Sequence, residues 1–130
     1  MRRAAVAAPA WLAALALVAG CAAAHSDDVR AVAVAVEDAE RDPEERCALL
    51  APVTRTALEA AAAAPCVEAI VDVPLPGGRV TAVEVWGDDA QVRIGGDVVF
   101  LARTGSGWRV TAAACEPRGD LPYDCEVEGS

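Results

Sequence analysis

Apolar positions follow three different patterns along this chain, and the changes divide it into three stretches. The first twenty residues are apolar almost without interruption. Residues 29–70 carry apolar side chains at helical spacing, and residues 79–115 alternate with period two between short turns. In the middle stretch Val29, Val32 and Val36 fall on one helical face, with Glu37, Glu40 and Arg41 beyond them. A helix capped by Asp27 or Asp28 is expected to run to about Glu40, although the strict alternation of Ala31–Val36 also suits a strand. Asp42-Pro43-Glu44-Glu45 is a stronger start. It places a capping Asp, Pro at the first helical position, and acids in the positive first turn. Pro52 breaks or kinks that segment, residues 53–64 continue as a helix, and Cys66–Ile70 adds one more short turn.

The third stretch predicts four strands, Arg79–Trp86, Ala90–Ile94, Val98–Arg103 and Trp108–Cys115. They are separated by Gly87-Asp88-Asp89, Gly95-Gly96-Asp97 and Thr104-Gly105-Ser106-Gly107. Connections this short force antiparallel neighbours, because a parallel crossover needs about a dozen residues. The better apolar sets are Ala90/Val92/Ile94, Val98/Phe100/Ala102 and Trp108/Val110/Ala112, and Trp86, Phe100 and Trp108 are expected in the core. Helices first and a meander afterwards is an α+β fold, with N-terminal helices packed on a curved antiparallel sheet of about four strands.

The opening stretch sets the address. Arg2-Arg3, an apolar run through Trp11-Leu12 and Leu15-Ala16-Leu17, and the small residues before Cys21 form a secretory signal layout. The run falls short of the roughly 20 apolar residues that a spanning helix needs. Val18-Ala19-Gly20-Cys21 resembles the lipobox of bacterial lipoproteins, with Val in place of the commoner Leu. The resemblance implies cleavage before Cys21 and diacylglycerol on its thiol. Residues 1–20 would then be a signal peptide, residues 21–28 a tether, and residues 29–130 one domain on the extracytoplasmic face of the cell membrane. His25, the only histidine, belongs to that tether.

Composition agrees with export. Ala supplies 31 of the 130 residues, so the 55 % hydrophobic fraction overstates the core, and Lys and Asn are absent. Loss of Arg2 and Arg3 takes the net charge from −9 to −11. So acidic a chain is repelled by phosphate backbones, which argues against nucleic acid, and by anionic lipid, so acyl chains must hold it at the membrane. Five Cys is an odd number. With Cys21 assigned to lipid, Cys47, Cys66, Cys115 and Cys125 imply two disulfides with three possible pairings. The sequence-local pairs Cys47–Cys66 and Cys115–Cys125 are favoured. No C-x-x-C spacing exists to suggest a metal, and no cofactor is expected.

Candidate chemistry is sparse. Glu84 shares strand parity with Trp86 and would be a desolvated carboxylate if that face is inward; the plainer reading has Val83 and Val85 inward and Glu84 solvated. Arg93, Arg103 and Arg109 lie opposite the apolar sets and would form a basic stripe able to bind a carboxylate or phosphate. Asp88, Asp89 and Asp97 read as turn chemistry. Arg118-Gly119-Asp120 lies inside a disulfide-closed tail that reads as a C-terminal latch. Taken together, Cys47-Ala48-Leu49-Leu50-Ala51-Pro52, Val83-Glu84-Val85-Trp86-Gly87-Asp88, Gly107-Trp108-Arg109-Val110 and Pro122-Tyr123-Asp124-Cys125 resemble small actinobacterial lipoproteins. These are in turn similar to the nuclear transport factor 2-like cone fold. The resemblance implies a cone domain without an assigned activity, hence a non-catalytic binding or interaction module for an envelope protein or small ligand. The alternatives are a small enzyme using Glu84 and a structural subunit of an envelope complex.

Overall fold

The long helix α1, Trp11–Glu37, carries the chain from the apolar opening stretch into the domain without a break. The structure, a computed structural model, describes residues 3–5 and 11–129, and the side chains of residues 11–23 lie outside that description. Residues 1, 2 and 6–10 of the expected signal peptide and the thiol of Cys21 are therefore not part of it. Residues 22–28 are helical, and Asp27 and Asp28 sit inside the helix instead of capping it. The cause is local: Ala22-Ala23-Ala24 favours helix, and no breaker stands between Gly20 and Glu37. Val29, Ala33 and Val36 bury the stripe facing the sheet. After Glu37 the Asp38 side chain accepts the Glu40 N–H at 3.0 Å and turns the chain away.

Helix α2, Pro43–Ala48, starts where the sequence indicates, with Asp42 accepting from the N–H groups of Glu44 and Glu45. The helical segment breaks before Pro52 as expected, with Ala51 extended, and Pro52 itself opens α3, Pro52–Ala62. Helix α4, Cys66–Ala69, runs into a single 3₁₀ turn at Ile70–Asp72. The disulfide Cys47–Cys66 staples α2 to α4. Closing a 19-residue separation limits the unfolded chain and contributes about 3 kcal/mol.

The sheet is a five-stranded antiparallel meander in the order β1-β2-β3-β4-β5, and the expected count of about four is corrected. The strands are β1 Val80–Trp86, β2 Asp89–Ile94, β3 Asp97–Thr104, β4 Gly107–Arg118 and β5 Leu121–Glu128. The tail is β5, paired with β4 so that Cys115 and Cys125 lie opposite each other and are disulfide-bonded. Pro122 and the acids of this segment hide its strand character, yet an edge strand tolerates both.

One sheet face takes the helices. Ala90, Val92 and Ile94 point there as expected, with Val99, Leu101, Trp108 and Val110. Two expected sets are corrected. The pairing Ile94↔Asp97 across Gly95-Gly96 puts Asp97, Val99 and Leu101 inward, and Val98, Phe100 and Ala102 outward. Thr111 is an extra residue between Val110, opposite Leu101, and Ala112, opposite Phe100. Its carbonyl accepts from Thr54 Oγ1 and from the Gly129 N–H, both at 3.0 Å. The bulge turns Ala112 outward, where it joins Val98, Cys115, Phe100 and Tyr123 in a second small cluster. No helix among the described residues is long and apolar enough to cross a membrane.

Candidate functional site

Two buried acids meet where α1 ends over the sheet. Glu37, 1 % exposed, is the last residue of α1, and Asp97, 5 % exposed, opens β3. The α1 stripe continues from Val29 and Ala33 to position 37, which carries the Glu37 carboxyl inward. Asp97 follows the two-residue turn whose register points it at the helices.

The Asp97 carboxylate replaces a missing stretch of sheet ladder. Beyond Phe100↔Ala112 the β3–β4 pairing stops, and Ala114 adopts a left-handed φ of 54°. The freed donors turn to Asp97. Oδ1 accepts from the N–H groups of Val98 and Cys115, both at 2.7 Å, and Oδ2 accepts from Ala114 at 2.8 Å. Buried backbone N–H groups need partners, and a carboxylate satisfies three here at once. A non-glycine residue held at positive φ costs about 1–3 kcal/mol, and these bonds hold Ala114 in place.

Glu37 is positioned by the loop before β1. Its Oε2 accepts the Gly77 N–H at 2.8 Å, and Oε1 is buried with no donor to accept from. Burial pushes the Glu37 carboxyl up to about 8 from an ordinary 4.5, reinforced by its hydrogen bond to Asp97 and by the Asp97 charge. The Gly77 N–H and the Arg46 charge act in the opposite direction. A protonated Glu37 donating its O–H to Asp97 accounts for both the orphaned oxygen and the close approach of two acids. Arg46, 2 % exposed, sits behind the pair and donates Nε–H to the Val36 carbonyl at 2.8 Å, placing positive charge at the negative end of α1. Burial lowers the Arg46 pKa, while Glu37 and Asp38 raise it.

Two clefts flank this pair beneath loop 74–78. One, about 270 Å³, has Asp97 at its base and Pro74, Pro76, Glu116, Asp124 and Glu126 around it. The other, about 300 Å³, is bordered by Glu37, Asp38, Val34, Gly77, Gly78 and Ile94. The loop is locked by Gly95, whose φ of 58° suits glycine and whose missing Cβ would run into the Gly77 carbonyl. Chemically the site offers a proton-carrying acid, a carboxylate and an acidic rim. Among the described residues no group of three or more His, Cys, Asp or Glu side chains is arranged to hold a metal ion.

The residues singled out from sequence lie elsewhere. Glu84 is exposed on the outer face of β1 opposite Gln91, so it is not the desolvated carboxylate considered above. Arg93 and Arg109 are also on the outer face, opposite Val98 and Ala102. Those partners are four residues apart along β3, roughly 13 Å, so no compact stripe forms. Arg103 points to the helix side instead, over Trp108 at 5.3 Å and paired with Asp88 at 3.4 Å. Trp86 is 55 % exposed and Phe100 packs edge-on to Tyr123 on the outer face, so only Trp108 of the three aromatics enters the main core. Asp97 is structural rather than turn chemistry. The signal for Glu37 was an acid lying on the apolar stripe; Asp97 carried no comparable signal, because its role depends on the β4 bulge. No family profile, curated protein or solved structure matches this chain.

Proposed function

We propose that the protein is a lipid-anchored, extracytoplasmic binding module of the cone type, similar to nuclear transport factor 2-like domains, and that it performs no catalysis itself. An acylated Cys21 holds it on the membrane, and the end of the domain that carries the Glu37–Asp97 clefts faces away toward an envelope protein or small ligand. The observation that carries this reading is the polarity of α1. Its backbone passes Cys21 first and reaches Glu37 sixteen residues later, a rise of roughly 24 Å, beside the cleft that Glu37 borders. The rim chemistry of Glu116, Asp124 and Glu126 favours a cationic group on the ligand. A second reading, a small enzyme, is favoured by one feature: a carboxyl raised to about 8 beside a cleft is poised as a general acid, with Glu37 in place of Glu84.

Photoreactive residues introduced into the intact lipoprotein in cells test the binding reading. Positions 116 and 38 beside the clefts should give a discrete adduct, and position 106 at the opposite end should not. Labelling that is the same at all three positions, or confined to 106, sinks it.

A further inference from the structure

The end of the domain opposite the carboxyl pair has a consequence for how the molecule meets the bilayer. Helix α1 is continuous from before Cys21 through His25, so the rise between them is roughly 6 Å. A headgroup layer is itself about 5–7 Å thick. His25 is fixed to the sheet: a guanidinium can only donate, so Arg103 Nη2–H donates to His25 Nδ1 at 3.1 Å. A cleft of about 380 Å³ bordered by His25, Ser26, Val85, Gly87 and Arg103 opens at this level. The outer row of the sheet here runs Trp86, Asp89, Ala102 and Arg109 across adjacent strands. Trp86, 55 % exposed, ends β1 on that row. An exposed indole at this end, with Arg109 three strands along the same row, roughly 14 Å away, and Arg103 on the other face of the sheet, suits the membrane–water interface, where the ring sits among headgroups and guanidinium groups meet lipid phosphates. Asp88 and Asp89 are also at this end, and Asp88 is engaged by Arg103.

Resting on the lipid-anchor reading, we propose that this end of the domain docks on the bilayer surface, with Trp86 among the headgroups and Arg103 and Arg109 on lipid phosphates. The domain then stands upright on α1 rather than swinging on a loose tether. The anchor supplies membrane affinity, and the docked end sets orientation.

The test uses the intact protein extracted from membranes, with intact mass first establishing whether Cys21 is acylated. The protein is reconstituted into vesicles of phosphatidylcholine and phosphatidylglycerol carrying bromines high on the acyl chains. With the signal removed, Trp86 and Trp108 are the remaining tryptophans, and Trp108 is buried. Docking predicts that bromolipid quenches most of the Trp86 emission and that Trp86→Phe, an exposed and conservative change, abolishes the quenching. An acylated wild type quenched no more than Trp86→Phe overturns the docking while the anchor stands. An unmodified Cys21 on a protein that stays off the vesicles overturns both.

Discussion

At the residue scale the Glu37–Asp97 pair makes stability depend on pH in a direction opposite to that of most carboxylates. Between about 4.5 and about 8 the folded protein holds a proton on Glu37 that the unfolded chain has released. The Glu37 contribution to stability is therefore fullest below about 4.5 and is lost as pH rises toward 8, with a slope approaching 1.4 kcal/mol per pH unit at most. Burial sets this window first, together with Asp97, the Gly77 N–H and Arg46. Glu37→Gln keeps a neutral donor for Asp97, so denaturant midpoints across the window should lose most of this fall; an unchanged slope would place the proton elsewhere. Asp97→Ala strips the Val98, Ala114 and Cys115 N–H groups of their partner and should cost about 3 kcal/mol or more in urea unfolding. Gly95→Ala is refused twice, by its positive φ and by the Gly77 carbonyl, and should cost roughly 2 kcal/mol or more. Its effect should fall on loop 74–78, read as faster amide exchange there.

Elements differ in how far they could be read from the chain, and the differences have physical causes. Helix α2 was legible because Asp42-Pro43-Glu44-Glu45 settles its start by local hydrogen bonds alone. Strands β1 to β4 were legible from turn chemistry and alternation, but parity in β3 was not. Side-chain period two makes a one-residue difference in the Gly95-Gly96 turn invert every position of β3. β5 was hidden because an edge strand needs no apolar alternation of its own; pairing with β4 and the Cys115–Cys125 bond define it. The bond between Cys115 and Cys125 also lies one bond from the site, since the Cys115 N–H donates to Asp97. Replacing both cysteines with Ser should lower stability by about 3 kcal/mol in the chain-entropy account. If the disulfide also holds the Asp97 bonds, amide exchange at Ala114 and Cys115 should rise beyond what that global loss produces; uniform change would make it a staple only.

On the scale of the molecule, the proposed function places attachment and recognition at the two ends of α1. In the proposed reading the acidic domain gains nothing from anionic lipid in bulk, so membrane residence would come from the acyl chains of Cys21. The lipobox expectation for that end rests on four contiguous residues, Val18-Ala19-Gly20-Cys21, and needs no fold to be stated. The far end was unreadable for the opposite reason: Glu37 and Asp97 are sixty residues apart and become a site only when the sheet is in register under α1. This separation predicts that the two ends fail independently. Cys21→Ser should release the protein from the membrane fraction, while its unfolding curve after signal removal stays that of the wild-type domain within about 0.5 kcal/mol, as expected for a change outside the core. Glu37→Gln should leave membrane residence untouched and change only the pH profile. Sedimentation of both variants, followed by denaturant unfolding at pH 5 and pH 8, checks the pair of outcomes. Loss of membrane residence in Glu37→Gln would show that the far end helps hold the protein in place, through a partner rather than through lipid.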